Sequence, residues 1–97
     1  MLFNKINKGI KTYKATPGAV LIDVREPGEF ASGHIPGAIN MPLSGSHNLS
    51  FQKDTPLFLY CLRGSRSMKA AMILKDQGYT DVHSIGGISG YKGEIEK

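Results

Sequence analysis

Pro56-Leu57-Phe58-Leu59-Tyr60-Cys61-Leu62-Arg63-Gly64-Ser65-Arg66 holds the clearest structural signal in the chain. Leu57 to Tyr60 is a continuous apolar run, the pattern of a short strand buried on both faces rather than one. It ends at Cys61. From Arg66 to Gln77 the residues are helix formers (Met68, Ala70, Ala71, Met72, Leu74), and Gly78 supplies a stop. After Arg66 only Lys69, Lys75 and Asp76 carry charge there, so most of the helix circumference is expected to be covered. Ala19 to Val24 and Val82 to Ile85 repeat the buried-strand pattern, the second closed by Gly86-Gly87. Ile39 lies between turn formers and reads as a shorter strand. Asn4 to Lys14 reads as a helix with Ile6, Ile10 and Tyr13 on one face, although Gly9 weakens it. Glu26 to Ala31 suits one or two helical turns, with Pro27 where a first-turn N–H is not needed. Buried strands alternating with helices predict an α/β domain with helices on both faces of a small parallel sheet.

Ninety-seven residues suit one domain over 1–97, with a basic N-terminal segment (1–14) and a polar tail (92–97). The chain is 40% hydrophobic and 21% charged, an ordinary globular balance. Its net charge of +4 comes from Lys5, Lys8, Lys11 and Lys14, and from Ala15 onward bases and acids cancel. A nucleic-acid partner is therefore not expected, because the folded body lacks a basic face. The four lysines read as a solvated helix surface. No apolar run approaches the ~20 residues of a membrane span, and the N-terminus lacks a signal-peptide core. The expectation is a cytoplasmic protein without a membrane partner.

The one cysteine, Cys61, excludes an internal disulfide and a multi-cysteine zinc site. It stands at a strand-to-helix junction, where ligands bind in α/β sheets. A loop there can turn successive amide N–H groups inward as an anion nest, and Gly64 permits the required twist. The helix N-terminus and Arg66 add positive charge. A thiol in that field ionises below its ordinary value and becomes a nucleophile. The alternative, a small core hydrophobe, fits poorly beside two arginines, a glycine and a serine.

Cys61 to Arg66 resembles the active-site loop of rhodanese-type sulfurtransferases. Leu21 to Glu26 with Glu29-Phe30, followed by Gly33 to Asn40, is similar to a second signature of that family, and Gly86-Gly87-Ile88 to a third. The resemblance runs from about Val20 to Tyr91. It implies a five-stranded parallel sheet and a ping-pong reaction without cofactor or metal. In that reaction Cys61 takes a sulfane sulfur from thiosulfate or a persulfide donor and passes it to a thiol, cyanide or protein acceptor. Leu62, Arg63, Gly64, Ser65 and Arg66 would bind the substrate anion. Two features depart from the pattern. The tryptophan common after the Gly-Gly turn is missing, with Tyr91 near its place, and the segment between Asn40 and Pro56 is short, which would leave an open site.

Two other readings compete. A cysteine-dependent phosphatase also uses a Cys…Arg loop, but such enzymes resemble a pattern with five intervening residues, and here there are four. A catalytically idle interaction module would more often lack the cysteine. Within the loop, Arg66 either orients it and neutralises an anion or makes an ion pair, and Arg63 either steers substrate or is solvated. Ser65 either faces the persulfide or caps the helix. Asp23 and Arg25 read as a structural pair. His34, His47 and His83 lack metal-ligand spacing, and His34 is expected to bond its own turn. Asn48-Leu49-Ser50 matches a glycosylation pattern but is discounted, since nothing indicates secretion.

Overall fold

The computed structural model describes residues 5–45 and 49–97, so His47 and Asn48 lie outside the described residues. The elements follow the order α1 (Lys5–Ala15), β1 (Val20–Asp23), α2 (Pro27–Ser32), β2 (Ile39–Asn40), β3 (Leu57–Cys61), α3 (Ser65–Asp76) and β4 (Val82–Gly87). A 3-10 turn over Ile88–Gly90 follows. The strands form a parallel sheet in the order β2-β1-β3-β4. Four strands, not five, are present among the described residues. The strand count came from the family resemblance, and here the described chain enters α1 directly and the outer edge of β4 has no strand beside it.

β3 is central and every one of its residues is buried, which is why its sequence shows no polar alternation. Leu57, Leu59 and Cys61 face α3 with Ile22, Ala70, Ala71 and Leu74. Phe58 and Tyr60 face the other way, toward Ile6 and Ile10 of α1 and toward Leu21, Ile35 and Ile85. α3 and α1 thus cover opposite faces of the sheet. Lys5, Lys8, Lys11 and Lys14 are all exposed. Gly9 marks a contact: a Cβ there would lie 2.5 Å from Ile85 Cβ. A mid-helix glycine costs ~1 kcal/mol against alanine, while overpacking costs ~1–3 kcal/mol, so the smaller residue wins.

The tail beyond Tyr91 is tied down. Glu96 exchanges both backbone hydrogen bonds with His34 at 2.8 Å. Tyr91, near the place of the expected tryptophan, packs against the α1-side core. Among the described residues no helix is long and apolar enough to cross a membrane.

Candidate active site

The carboxyl ends of β1 and β3 lie side by side, with Asp23 paired in register to Tyr60. Each strand delivers one chemically loaded residue to that end.

At the end of β1, Asp23 is fully buried and meets Arg25 at 2.7 Å. Arg25 also donates its backbone N–H to Asp23 Oδ1 at 2.8 Å and its guanidinium to Gly33 O at 2.7 Å. Asn40 Nδ2 donates to the carbonyls of Asp23 and Arg25, both at 2.9 Å. Both charges are satisfied by protein, as their structural reading requires.

At the end of β3, Cys61 is 1% exposed and so deeply set. Gly64 donates its N–H to Sγ at 2.9 Å. Burial pushes the thiol pKa up. The N–H and hydroxyl of Ser67, with the N–H groups of Gly64 and Arg63, more than offset this, and the net direction is downward. The loop therefore favours a sulfur anion by aimed donors, and the charge of Arg66, whose guanidinium is bonded to Glu29, interacts with the sulfur as well.

Gly64, with φ of 115°, is the residue that caps α3, a left-handed conformation that a Cβ resists. Ser65 does not cap the helix; it is the first helical residue and exposed. Leu62 is 37% exposed and Arg63 also faces solvent. Arg66 makes the ion pair: its guanidinium meets Glu29 of α2 at 2.7 and 3.1 Å. This contact, first among the causes, holds the Glu29 carboxyl down at about 2. Glu29 Oε1 also accepts the Glu26 N–H at 3.0 Å, where α2 begins. Arg66 thus fastens the start of α3 to α2 and closes the loop from outside.

Gly86 and Gly87, read from the sequence as closing the strand, are the last residues of β4 and lie directly on the loop. β4 carries one residue more than β3 between the pairs Leu59–Ser84 and Cys61–Gly87, a bulge that swings Gly87 opposite the cysteine. A Cβ on Gly87 would meet Leu62 O at 2.1 Å. Ser89 N–H then donates to the same Leu62 carbonyl at 3.1 Å.

Ser67 is the site residue that sequence reasoning missed. It is fully buried, and its hydroxyl lies 3.7 Å from Cys61 Sγ, 3.0 Å from Gly64 O and 2.7 Å from Ser84 Oγ. Its spacing from Ala70, Ala71 and Leu74 puts it on the apolar face of α3. A serine at such a position is a signal that could have been read. The two described histidines, His34 and His83, bond other partners than the sulfur. His34 Nδ1 bonds Phe30 O at 2.9 Å, within its own turn as expected, and its ring stacks on Phe30. His83 meets Asp81 and stacks on Phe58.

The sequence profile of the rhodanese-like domain matches residues 6–94. The chain is 43% identical over 81 residues to the uncharacterised protein YqhL of Bacillus subtilis, an alignment covering 80% of this chain and 64% of that protein. It is 39% identical over 75 residues to the thiosulfate sulfurtransferase GlpE of Pseudomonas syringae, covering 72% of this chain and 68% of that one. The chain thus spans just under two thirds of YqhL and just over two thirds of GlpE. The solved structure described as "rhodanese with anions from E. coli" superposes with a TM-score of 0.74 at 32% identity, covering 81% of this chain and 98% of that chain. Strand order, loop position and sequence agree in one assignment: the chain belongs to the rhodanese-like domain family.

Proposed function

We propose that the protein is a sulfurtransferase that carries a sulfane sulfur on Cys61. The observation that carries this reading is the Gly64 N–H aimed at Sγ from 2.9 Å, inside a loop of six residues. With a thiosulfate donor, the Cys61 thiolate attacks the outer sulfur. The new S–S bond forms as the bond to the sulfonate sulfur breaks, and the electron pair leaves with sulfite. A nucleophilic acceptor, a thiol or cyanide, then attacks the terminal sulfur of the persulfide, and the Cys61 thiolate leaves. Charge, sulfur and electrons balance in both halves, and no cofactor or metal enters.

Leu62 to Arg66 form the anion-binding loop in this reading. Their amides serve the incoming sulfur, while Arg66 acts by holding the loop closed rather than as a free cation. Hydrogen bonds to a charged acceptor contribute roughly 1.5–3 kcal/mol each, so two or three suffice to favour an anionic persulfide. The phosphatase reading is disfavoured by the same features. The loop is one residue short, and the arginine that would have to grip phosphate is held by Glu29.

The test is intact-mass analysis after thiosulfate. Wild type should gain one sulfur atom that a reducing agent removes, and Cys61→Ser should gain none while remaining folded. If wild type gains no sulfur from thiosulfate, polysulfide or a persulfide donor, it is an idle module. Rapid hydrolysis of aryl phosphates without sulfur transfer would instead make it a phosphatase.

A further inference from the structure

The fully buried Ser67 hydroxyl has one proton and two acceptor positions. Three groups surround it: Cys61 Sγ, Gly64 O and Ser84 Oγ. When the sulfur is a neutral thiol, S–H points to Ser67 Oγ and Ser67 donates to Gly64 O. When the sulfur is an anion, it needs a donor, and a rotation about the Ser67 Cβ–Oγ bond turns that proton from the carbonyl to the sulfur. Something must then keep the vacated side of Ser67 Oγ occupied. Ser84 on β4, 2.7 Å away, is placed to donate to it in both states. Hydroxyls in series polarise one another, so the donor behind Ser67 strengthens the bond Ser67 makes in front.

Ser84 is fixed by the sheet. It lies in register with Leu59, one step before the bulge that brings Gly87 to the cysteine. Its side chain points to the α3 side, where it also borders a shallow groove of about 280 Å³ with Lys5, Met68, Ala71, Met72 and Lys75. The hydroxyl therefore meets solvent on one side and Ser67 on the other, and needs no further protein acceptor.

We infer that Ser84 is a positioning residue for the Cys61 sulfur, acting through Ser67 as a two-hydroxyl switch that donates to the sulfur when it is anionic. The inference deepens the sulfurtransferase reading, yet it concerns the sulfur anion itself and can be tested without any sulfur transfer. It adds no bond-making step, since only hydroxyl protons reorient.

The test compares Ser84→Val with Ser84→Thr, two β-branched side chains suited to a strand and differing by one hydroxyl. The readout is the rate of alkylation of Cys61 by iodoacetamide from pH 5 to 10, together with thiosulfate turnover. Ser84→Val is expected to move the alkylation midpoint upward and slow the reaction at pH 6 about threefold, given that one pKa unit is tenfold in thiolate below the midpoint. The plateau at high pH should not change. Ser84→Thr should follow wild type. Ser67→Ala, which removes the hydroxyl touching sulfur, should slow alkylation about tenfold on the same scale. Coincident profiles for the valine and threonine variants would overturn the inference, whether or not both differ from wild type. If the two variants separate as expected but no form of the protein transfers sulfur, the switch stands and the proposed reaction falls.

Discussion

The two strand ends at the centre of this molecule answer the same problem in opposite ways. β1 ends in a buried carboxylate, and the chain supplies it with a guanidinium at 2.7 Å and a backbone N–H, while Asn40 ties down the main-chain carbonyls on either side. β3 ends in a buried thiol, and the chain supplies hydrogen-bond donors, while Arg66 is bonded to Glu29 and acts on the sulfur only through its charge. A buried charge that is paired becomes a fixture. A buried group faced by aimed donors is stabilised most when it becomes an anion, so its free energy is tied to its chemical state. Both ends are buried, and what separates scaffold from site is whether a counter-charge is bonded directly to the buried group.

That contrast breaks most visibly if the β1 pair is opened. Arg25→Ala leaves Asp23 buried with no cation and deprives Gly33 O of its donor. A loss of about 3–5 kcal/mol in unfolding free energy is expected, the range for removing one partner of a buried pair. Urea denaturation measures it. A loss below about 1 kcal/mol would mean that water replaces the arginine and that the β1 end is not the closed structure described here.

The loop end is expected to yield less stability and more function. Gly87→Ala places a methyl 2.1 Å from Leu62 O and 2.5 Å from Arg63 Cα, so the cysteine loop must shift. The cost in stability should be about 1–3 kcal/mol, the range for overpacking. The alkylation midpoint of Cys61 should rise because the loop amides lose their aim. If stability falls while the midpoint stays put, the Gly86-Gly87 end of β4 supports the fold and not the sulfur.

How much of this was legible in the sequence follows the same division. β3 and α3 could be read because a strand buried on both faces and a run of helix formers leave contiguous patterns. The expected cover of most of α3 fails, since Met68 and Met72 are 59% and 67% exposed and only one stripe is buried. A loop amide aimed at the sulfur could be read because Cys61 and Gly64 are only three residues apart. The Asp23–Arg25 pair, two residues apart, was legible for that reason. The Arg66–Glu29 contact bridges thirty-seven positions, and nothing in spacing or period announces it. Ser84 and Ser67 lie on different elements, and their contact depends on the register of β4 against β3, which a bulge determines. The fifth strand was expected from likeness alone. α1, by contrast, was readable as a helix despite Gly9, whose reason is a neighbour seventy-six residues away.

The smallest expected effect concerns the link between the two ends. Arg66 and Glu29 are about one-third exposed, so solvent screens them, and the pair should contribute no more than about 1 kcal/mol despite the low Glu29 pKa. The sign is set by the carboxylate. Its folded pKa of about 2 lies below the ordinary ~4.3, so the folded state favours the ionised form. The stabilisation is therefore complete above the ordinary value and lost as pH falls through it toward 2. Arg66→Ala should thus destabilise the protein by about 0.5–1 kcal/mol at pH 7, with the difference from wild type shrinking below pH 4 and in high salt. Sulfur transfer should fall further in this variant than in Arg63→Ala, because Arg66 fastens α3 to α2 whereas Arg63 faces solvent. Unfolding of both proteins across pH 2–7, paired with turnover at pH 7, separates the two contributions. A stability difference that persists unchanged at pH 2 would show that Arg66 acts through packing of its stem, and the link between the two strand ends would then not be electrostatic.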